Sequence, residues 1–112
     1  MPRFALATSC LAALLILHSP EAGAAVLAAW SQYGEHGTVE ARLITDEPAC
    51  PALITDGGSL PMSERARPTP AFPVRVCVAA IPAGAKHVRA GGRDLPVPVA
   101  KPRHIVVFGD TG

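Results

Sequence analysis

The sequence lacks an excess of charge of either sign and has very few aromatic residues. Ten Lys and Arg against nine Asp and Glu leave a formal net charge of +1 over 112 residues, which argues against nucleic-acid binding through a basic patch and against an acidic tail. Aromatic residues make up 4%, so a core must be built from Val, Leu, Ile and Ala. Twelve Pro and ten Gly exclude a protein of long helices, while 49% apolar residues exclude a disordered chain. This length accommodates one small domain.

No apolar run is long enough to cross a bilayer, but the first 24 residues have the three parts of a secretory signal peptide. Arg3 and the amino terminus supply positive charge. Residues 4–17 form an uncharged run of 14 residues, short of the ~20 that a transmembrane helix needs. Small residues then surround Ala24. We expect cleavage between Ala24 and Ala25, export to the periplasm or the medium, and no stable membrane anchor afterwards.

Cysteine is also scarce, and export determines the state in which we expect the cysteines to be. Of three cysteines, Cys10 lies in the leader, which leaves Cys50 and Cys77. Paired thiols persist as disulfides in oxidising compartments, so we expect these two to be bonded. The closed loop of 28 residues corresponds to about 3–4 kcal/mol of stabilisation. No His or further Cys lies near either residue at ligand spacing, which argues against a metal site there.

The mature chain is a series of short strand patterns separated by turn residues. Residues 38–45 alternate between apolar and mostly polar side chains, which is typical of a half-buried strand. The predicted strands are 26–33, 38–45, 50–55, 74–81 and, more weakly, 86–90, and residues 63–73 are predicted to be a loop. This spacing favours an all-β fold, a small antiparallel β-sandwich over residues 25–95, with the disulfide joining the third predicted strand to the fourth.

The character of the chain changes after residue 95. Residues 96–102 contain three prolines, which predicts a stiff spacer and a domain boundary. Residues 105–108 form a continuous apolar run, typical of a strand covered on both faces in a parallel sheet. We therefore expect residues 103–112 to be the first strand of a second, α/β domain whose remainder is absent from this sequence.

The strongest chemical signal is Gly109-Asp110-Thr111-Gly112, which follows this apolar run. The motif places a carboxylate at the carboxyl end of the expected strand, where open α/β sheets bind their ligands. The glycines allow the backbone to approach an ion closely. Carboxylate oxygens suit hard divalent or trivalent metal ions, so Asp110 is a candidate metal ligand.

At this motif the chain resembles the calcineurin-like metallophosphoesterases, specifically the purple-acid-phosphatase-like group, whose first metal motif is G-D-x-G after an apolar strand. Many secreted members have a signal peptide and a β-sandwich of the immunoglobulin or fibronectin kind before the catalytic domain. The resemblance implies that Asp110 binds the first metal of a two-metal centre (Fe, Mn or Zn), supported by Gly109, Thr111 and Gly112, in a hydrolase of small phosphate esters. It covers about ten residues and supplies no other catalytic residue, so the fragment itself is expected to be inactive and to need no cofactor.

Other interpretations stay open at this stage. Aspartic and subtilisin-like proteases also carry D-T-G after a strand, although they usually have an aliphatic residue where this chain has Gly109. The motif is also compatible with a strand-ending turn, and the chain with a non-enzymatic exported β-domain that binds a partner. His36 and His104 lack partners at ligand spacing. The basic residues Lys86, Arg89, Arg93, Lys101 and Arg103 are more typical of a solvated face than of an anion site.

Overall fold

A computed structural model describes residues 24–110 and contains eight β-strands over that range. The predicted leader, apart from Ala24, lies outside the described residues, as do Thr111 and Gly112 of the motif. The strands are β1 (Val26–Tyr33), β2 (Val39–Thr45), β3 (Ala52–Thr55), β4 (Gly58–Pro61), β5 (Ser63–Ala66), β6 (Arg75–Ala80), β7 (Val88–Ala90) and β8 (Arg93–Leu95). A single short 3-10 turn, Glu35–Gly37, joins β1 to β2.

The strands form two antiparallel sheets that pack together, so the predicted all-β sandwich is confirmed. One sheet has the order β1-β2-β6-β5 and the other has the order β4-β3-β7-β8. The first order corresponds to the A-B-E-D sheet of an immunoglobulin-type sandwich. Strands β3, β7 and β8 correspond to its C-F-G sheet, with β4 added beside β3.

The alternation seen in the sequence determines which side chains of β2 enter the core. Ala41, Leu43 and Thr45 are fully buried, and the residues between them lie on the outer face. Residues from both sheets complete the core: Leu53, Met62, Cys77, Ile81, Val88, Ala90 and Leu95. Over residues 24–110 this buried cluster contains no aromatic side chain, as the composition leads one to expect.

A disulfide bond between Cys50 and Cys77 joins the two sheets. Cys50 lies just before β3 and Cys77 lies in β6, with 5.8 Å between their Cα atoms. The bond predicted from the cysteine count is therefore present, and it connects the third predicted strand to the fourth. In antibody domains the corresponding bond joins strands B and F. Here it joins the start of the C-equivalent strand to the E-equivalent strand.

Three edge strands, β4, β5 and β8, were not expected from the sequence. The predicted loop over residues 63–73 is wrong at its start, because Ser63–Ala66 form β5 at the edge of the first sheet. All four residues of β5 are exposed, so this strand has no apolar alternation to detect. Strands β4 and β8 lie in segments rich in turn residues. Met62, which is buried, marks the point where the chain passes from one sheet to the other.

Part of the predicted spacer packs against the sandwich. The Ser31 hydroxyl donates a hydrogen bond to the Pro96 carbonyl, and the Tyr33 hydroxyl donates one to the Val99 carbonyl over 2.6 Å. Val97 packs against the core. Residues 96–99 therefore follow β1 and extend the sandwich beyond the expected boundary, and only the residues after Val99 leave it.

Candidate functional site

Asp110 lies at the end of a segment that belongs to neither sheet. Residues 104–110 form no strand, and the side chains from Ile105 to Phe108 are 75–92% exposed. The strand expected over residues 105–108 is therefore not formed in the described part of the chain. Asp110 itself is exposed.

The described residues do not supply a complete metal site. Between residues 24 and 110, no three His, Cys, Asp or Glu side chains lie together in a group that could hold a metal ion. A two-metal centre needs several such ligands. The role of Asp110 as a ligand therefore stays a prediction.

A groove lies where the exposed segment leaves the sandwich. Its volume is about 680 Å³. Tyr33 and Gly37 line it from the β1–β2 hairpin, and Val99, His104 and Ile105 line it from the C-terminal segment. His36, the other histidine considered in the sequence, is exposed in the adjoining turn and has a positive φ of 57°. The structure thus brings His104 to this groove and leaves His36 in the turn beside it.

Two of the basic residues of the C-terminal third, Arg89 and Arg93, contact groups of the sandwich. Arg89 forms an ion pair with Asp94 across the β7–β8 hairpin, at 2.9 Å between Nε and Oδ1. The hydrogen bond to Asp94 and its negative charge raise the pKa of Arg89. Arg93 instead donates to the Val26 carbonyl over 2.8 Å. Both residues are exposed, and each has a partner within the sandwich.

Asp56 makes a polar contact that was not predicted from the sequence. Its carboxylate accepts a hydrogen bond from the Lys86 backbone N–H at 3.2 Å, which joins the β3–β4 turn to the segment before β7. Desolvation raises the pKa of Asp56, but the backbone N–H groups of Asp56, Lys86 and His87 and the charge of His87 outweigh this effect, so the pKa lies below its ordinary value. In the sequence this position is marked only by the turn residues Asp56-Gly57-Gly58, which end the third predicted strand.

A row of half-buried side chains covers the outer face of the first sheet. Trp30 lies opposite Arg42, and Arg42 lies opposite Val78 on the next strand. Ile44 and Val76 form the adjoining cross-strand pair on the same face. The Trp30 side chain lies on this outer face, where its Nε1 donates a hydrogen bond to the Gln32 side chain over 2.8 Å. We call Trp30, Ile44, Val76 and Val78 the outer apolar row.

Over residues 24–110 the structure has no helix that is both long and apolar enough to span a membrane. The disulfide is compatible with an exported protein. No family model, no curated protein and no solved structure matches this chain.

Proposed function

We propose that this chain is the N-terminal part of an exported, metal-dependent phosphoesterase, in which a disulfide-bonded β-sandwich precedes the catalytic domain. Asp110 is the first metal ligand in that proposal, and the sandwich is a non-catalytic module. The chain by itself is inactive, because one motif carboxylate does not hold a two-metal centre.

One observation carries the proposal. Four consecutive apolar residues, Ile105 to Phe108, stay exposed immediately before the G-D-T-G motif. A contiguous apolar segment of this kind is typical of a surface that further protein covers. A strand buried on both faces of a parallel sheet has this composition, and its carboxyl end is where such sheets bind ligands.

The donor chemistry sets the limits of the proposal. A carboxylate suits Fe, Mn or Zn, so Asp110 fits one position of a two-metal centre. Within residues 24–110, no three His, Cys, Asp or Glu side chains lie together, so we expect the remaining ligands to come from the longer protein. The proposal therefore concerns the longer protein.

The test uses the full-length protein with Asp110→Asn. We expect hydrolysis of p-nitrophenyl phosphate and bound metal to fall together, each by more than about tenfold, because the substitution removes an anionic ligand. Asp94→Asn, which removes an exposed carboxylate of the sandwich, is the matched control and should change neither. Retention of metal and activity in Asp110→Asn would refute the proposal, and inhibition by pepstatin would favour a D-T-G protease instead. Downstream G-D-x-x-Y and G-N-H motifs would support the phosphoesterase.

Export has its own test, independent of the chemistry. The protein recovered from the periplasm or the medium should begin at Ala25 when its amino terminus is sequenced. Protein in those fractions that still begins at Met1 would contradict the proposal.

The alternative is a non-enzymatic exported domain that binds a partner, and the outer apolar row is the observation that favours it. Trp30 and Val78 are only half buried, although large apolar side chains are scarce in this chain. If the sandwich binds a partner through this face, Trp30→Ala should abolish binding, whereas Leu27→Ala, at an exposed apolar position of the same strand, should not. Partner binding that survives Trp30→Ala would argue against this role.

A further inference from the structure

The first strand is held at its start by an unusual set of hydrogen bonds around Ala25. The Ala25 backbone nitrogen lies 2.5 Å from Oδ1 of Asp46. The Ala25 carbonyl accepts hydrogen bonds from the Thr45 hydroxyl at 2.8 Å and from the Asp46 backbone N–H at 3.3 Å. Residue 25 is thus fixed at both its nitrogen and its oxygen, at the open end of the β1–β2 hairpin.

The backbone around Asp46, whose carboxylate accepts the bond from the Ala25 nitrogen, is itself held in place. Thr45 is fully buried, and its hydroxyl oxygen also accepts a hydrogen bond from the Glu47 backbone N–H at 3.0 Å. On the other side, Val26 packs closely against the turn at Gly91. These contacts direct the Asp46 carboxylate towards the Ala25 nitrogen, because the backbone on either side of Asp46 is fixed.

We propose that Asp46 binds the α-ammonium group that removal of the leader creates at Ala25, so that processing adds an ion pair to the start of β1. This inference rests on the proposed export and is independent of the phosphoesterase assignment. Hydrolysis of the bond between Ala24 and Ala25 adds the hydroxyl of water to the Ala24 carbonyl carbon and a hydrogen to the Ala25 nitrogen. The amine then takes a proton from solvent at neutral pH.

The position of the nitrogen is what makes this pairing specific. In the uncleaved chain the same atom is a neutral amide donor, and after cleavage it is a cation beside the same carboxylate. Charge-assisted hydrogen bonds are roughly twice as strong as neutral ones. Cleavage one residue earlier or later would displace the ammonium group by about 3.3 Å along the strand and separate it from Asp46.

Charged groups of both signs lie near the Ala25 nitrogen at this end of the sheet. The Arg93 guanidinium donates to the neighbouring Val26 carbonyl and disfavours a second cation. Glu47 follows Asp46 in the chain, and the Arg75 side chain donates to the Glu47 carbonyl at 3.4 Å. Asp46 is the group in direct contact with the Ala25 nitrogen, so we expect the pKa of the new α-amino group to be higher in the folded protein than in the unfolded chain. Stability from the pair is then complete below the unfolded-state pKa and is lost as the pH rises through the folded-state pKa.

The experiment uses the exported protein at the full length that the cell produces. It measures how fast the Ala25 amine is acylated. Mass spectrometry of the N-terminal peptide follows labelling at pH 7, with Lys86 and Lys101 as internal references. We expect labelling of Ala25 to be roughly threefold to tenfold faster in Asp46→Asn, since one pKa unit is a tenfold change in neutral amine. Glu35→Gln, an exposed carboxylate at the opposite end of the hairpin, should leave the rate unchanged.

The outcomes separate the inference from the export proposal. An amino terminus other than Ala25 would refute the predicted cleavage. An amino terminus at Ala25 with equal labelling rates in wild type and Asp46→Asn would refute the ion pair alone. A measurement on the wild type needs no variant: the pH at which Ala25 becomes reactive should be higher in native protein than in protein unfolded by urea, and equal values would overturn the inference.

Discussion

The sandwich buries apolar side chains that alternate along its strands, whereas the C-terminal segment leaves a continuous apolar run exposed. In β2, Leu43 is fully buried, whereas Val107 in the apolar run is 84% exposed. The sandwich strands find antiparallel neighbours and a facing sheet, and residues 104–110 find neither. An apolar sequence therefore gives a strand its tendency to be buried, but the partners that bury it must come from elsewhere in the chain.

The largest contrast should appear when one apolar side chain is truncated in each region. Leu43→Ala removes a fully buried side chain between the sheets, so we expect the free energy of unfolding to fall by about 3–4 kcal/mol. Val107→Ala should change it by less than about 0.5 kcal/mol. Urea denaturation followed by Trp30 fluorescence measures both, and similar losses in the two variants would break the comparison.

The disulfide gives the next largest effect, because it belongs only to the sandwich. Cys50→Ala combined with Cys77→Ala should lower the free energy of unfolding by about 3 kcal/mol, since the unfolded chain regains the freedom of the closed loop. Reduction of the wild type should cause a comparable loss and should leave the double variant unchanged. A wild type that is insensitive to reduction would contradict this account.

These contrasts also explain what the sequence could and could not predict. The strands β2 and β6 and the disulfide follow from alternation and from the count of exported cysteines, which are local signals of burial and compartment. Strands such as β5 bury nothing and are defined by their neighbour β6, so the local sequence carries no sign of them. The motif at Asp110 could be recognised by its residue types and their spacing. Its ligand partners could not, because within residues 24–110 the structure has no group of three or more His, Cys, Asp or Glu side chains that could hold a metal ion.

Substitution of two adjacent glycines, Gly91 and Gly92, tests how closely the sandwich is packed. A Cβ atom at Gly91 would lie 2.4 Å from Val26 Cγ2, at a φ of +53°, whereas one at Gly92 would have no atom within 4 Å, at a φ of +75°. Gly91→Ala should therefore lower the free energy of unfolding by about 2–3 kcal/mol, from overpacking added to backbone strain. Gly92→Ala should cost about 1 kcal/mol from backbone strain alone. Thermal unfolding compares them, and equal losses would mean that β1 does not pack tightly against this turn.

The contact between the sandwich and the C-terminal segment can be weakened by removing a single hydroxyl group. Tyr33→Phe removes the hydrogen bond to the Val99 carbonyl and should cost about 1 kcal/mol in local stability. Tryptic cleavage after Arg103 should then become roughly fivefold faster, because the segment opens more often. Thr69→Ala, which removes an exposed hydroxyl elsewhere, is the control. An unchanged cleavage rate in Tyr33→Phe would show that Val99 is held by other contacts.

The smallest effect depends on pH. The pKa of Asp56 is lower in the folded state, so the stability that it contributes is present above the unfolded-state pKa of about 3.9 and is lost as the pH falls through the folded-state pKa. The difference in melting temperature between wild type and Asp56→Asn should therefore shrink as the pH is lowered from 5 to 2. Glu35→Gln provides the matched comparison. A difference that grows on acidification would contradict the hydrogen-bond assignment.

The path of β1 has a mechanical consequence. The chain enters the sandwich at Ala25, at one end of β1, and residues 96–99 leave it near Tyr33, at the other end, eight residues and about 26 Å away. A pulling force applied between Ala25 and the residues after Val99 would act along β1 and load its hydrogen bonds to β2 together, in shear, instead of opening them one at a time. The bond between Cys50 and Cys77 would keep the 28 residues from 50 to 77 from extending, so a stretched chain would lengthen only outside that loop.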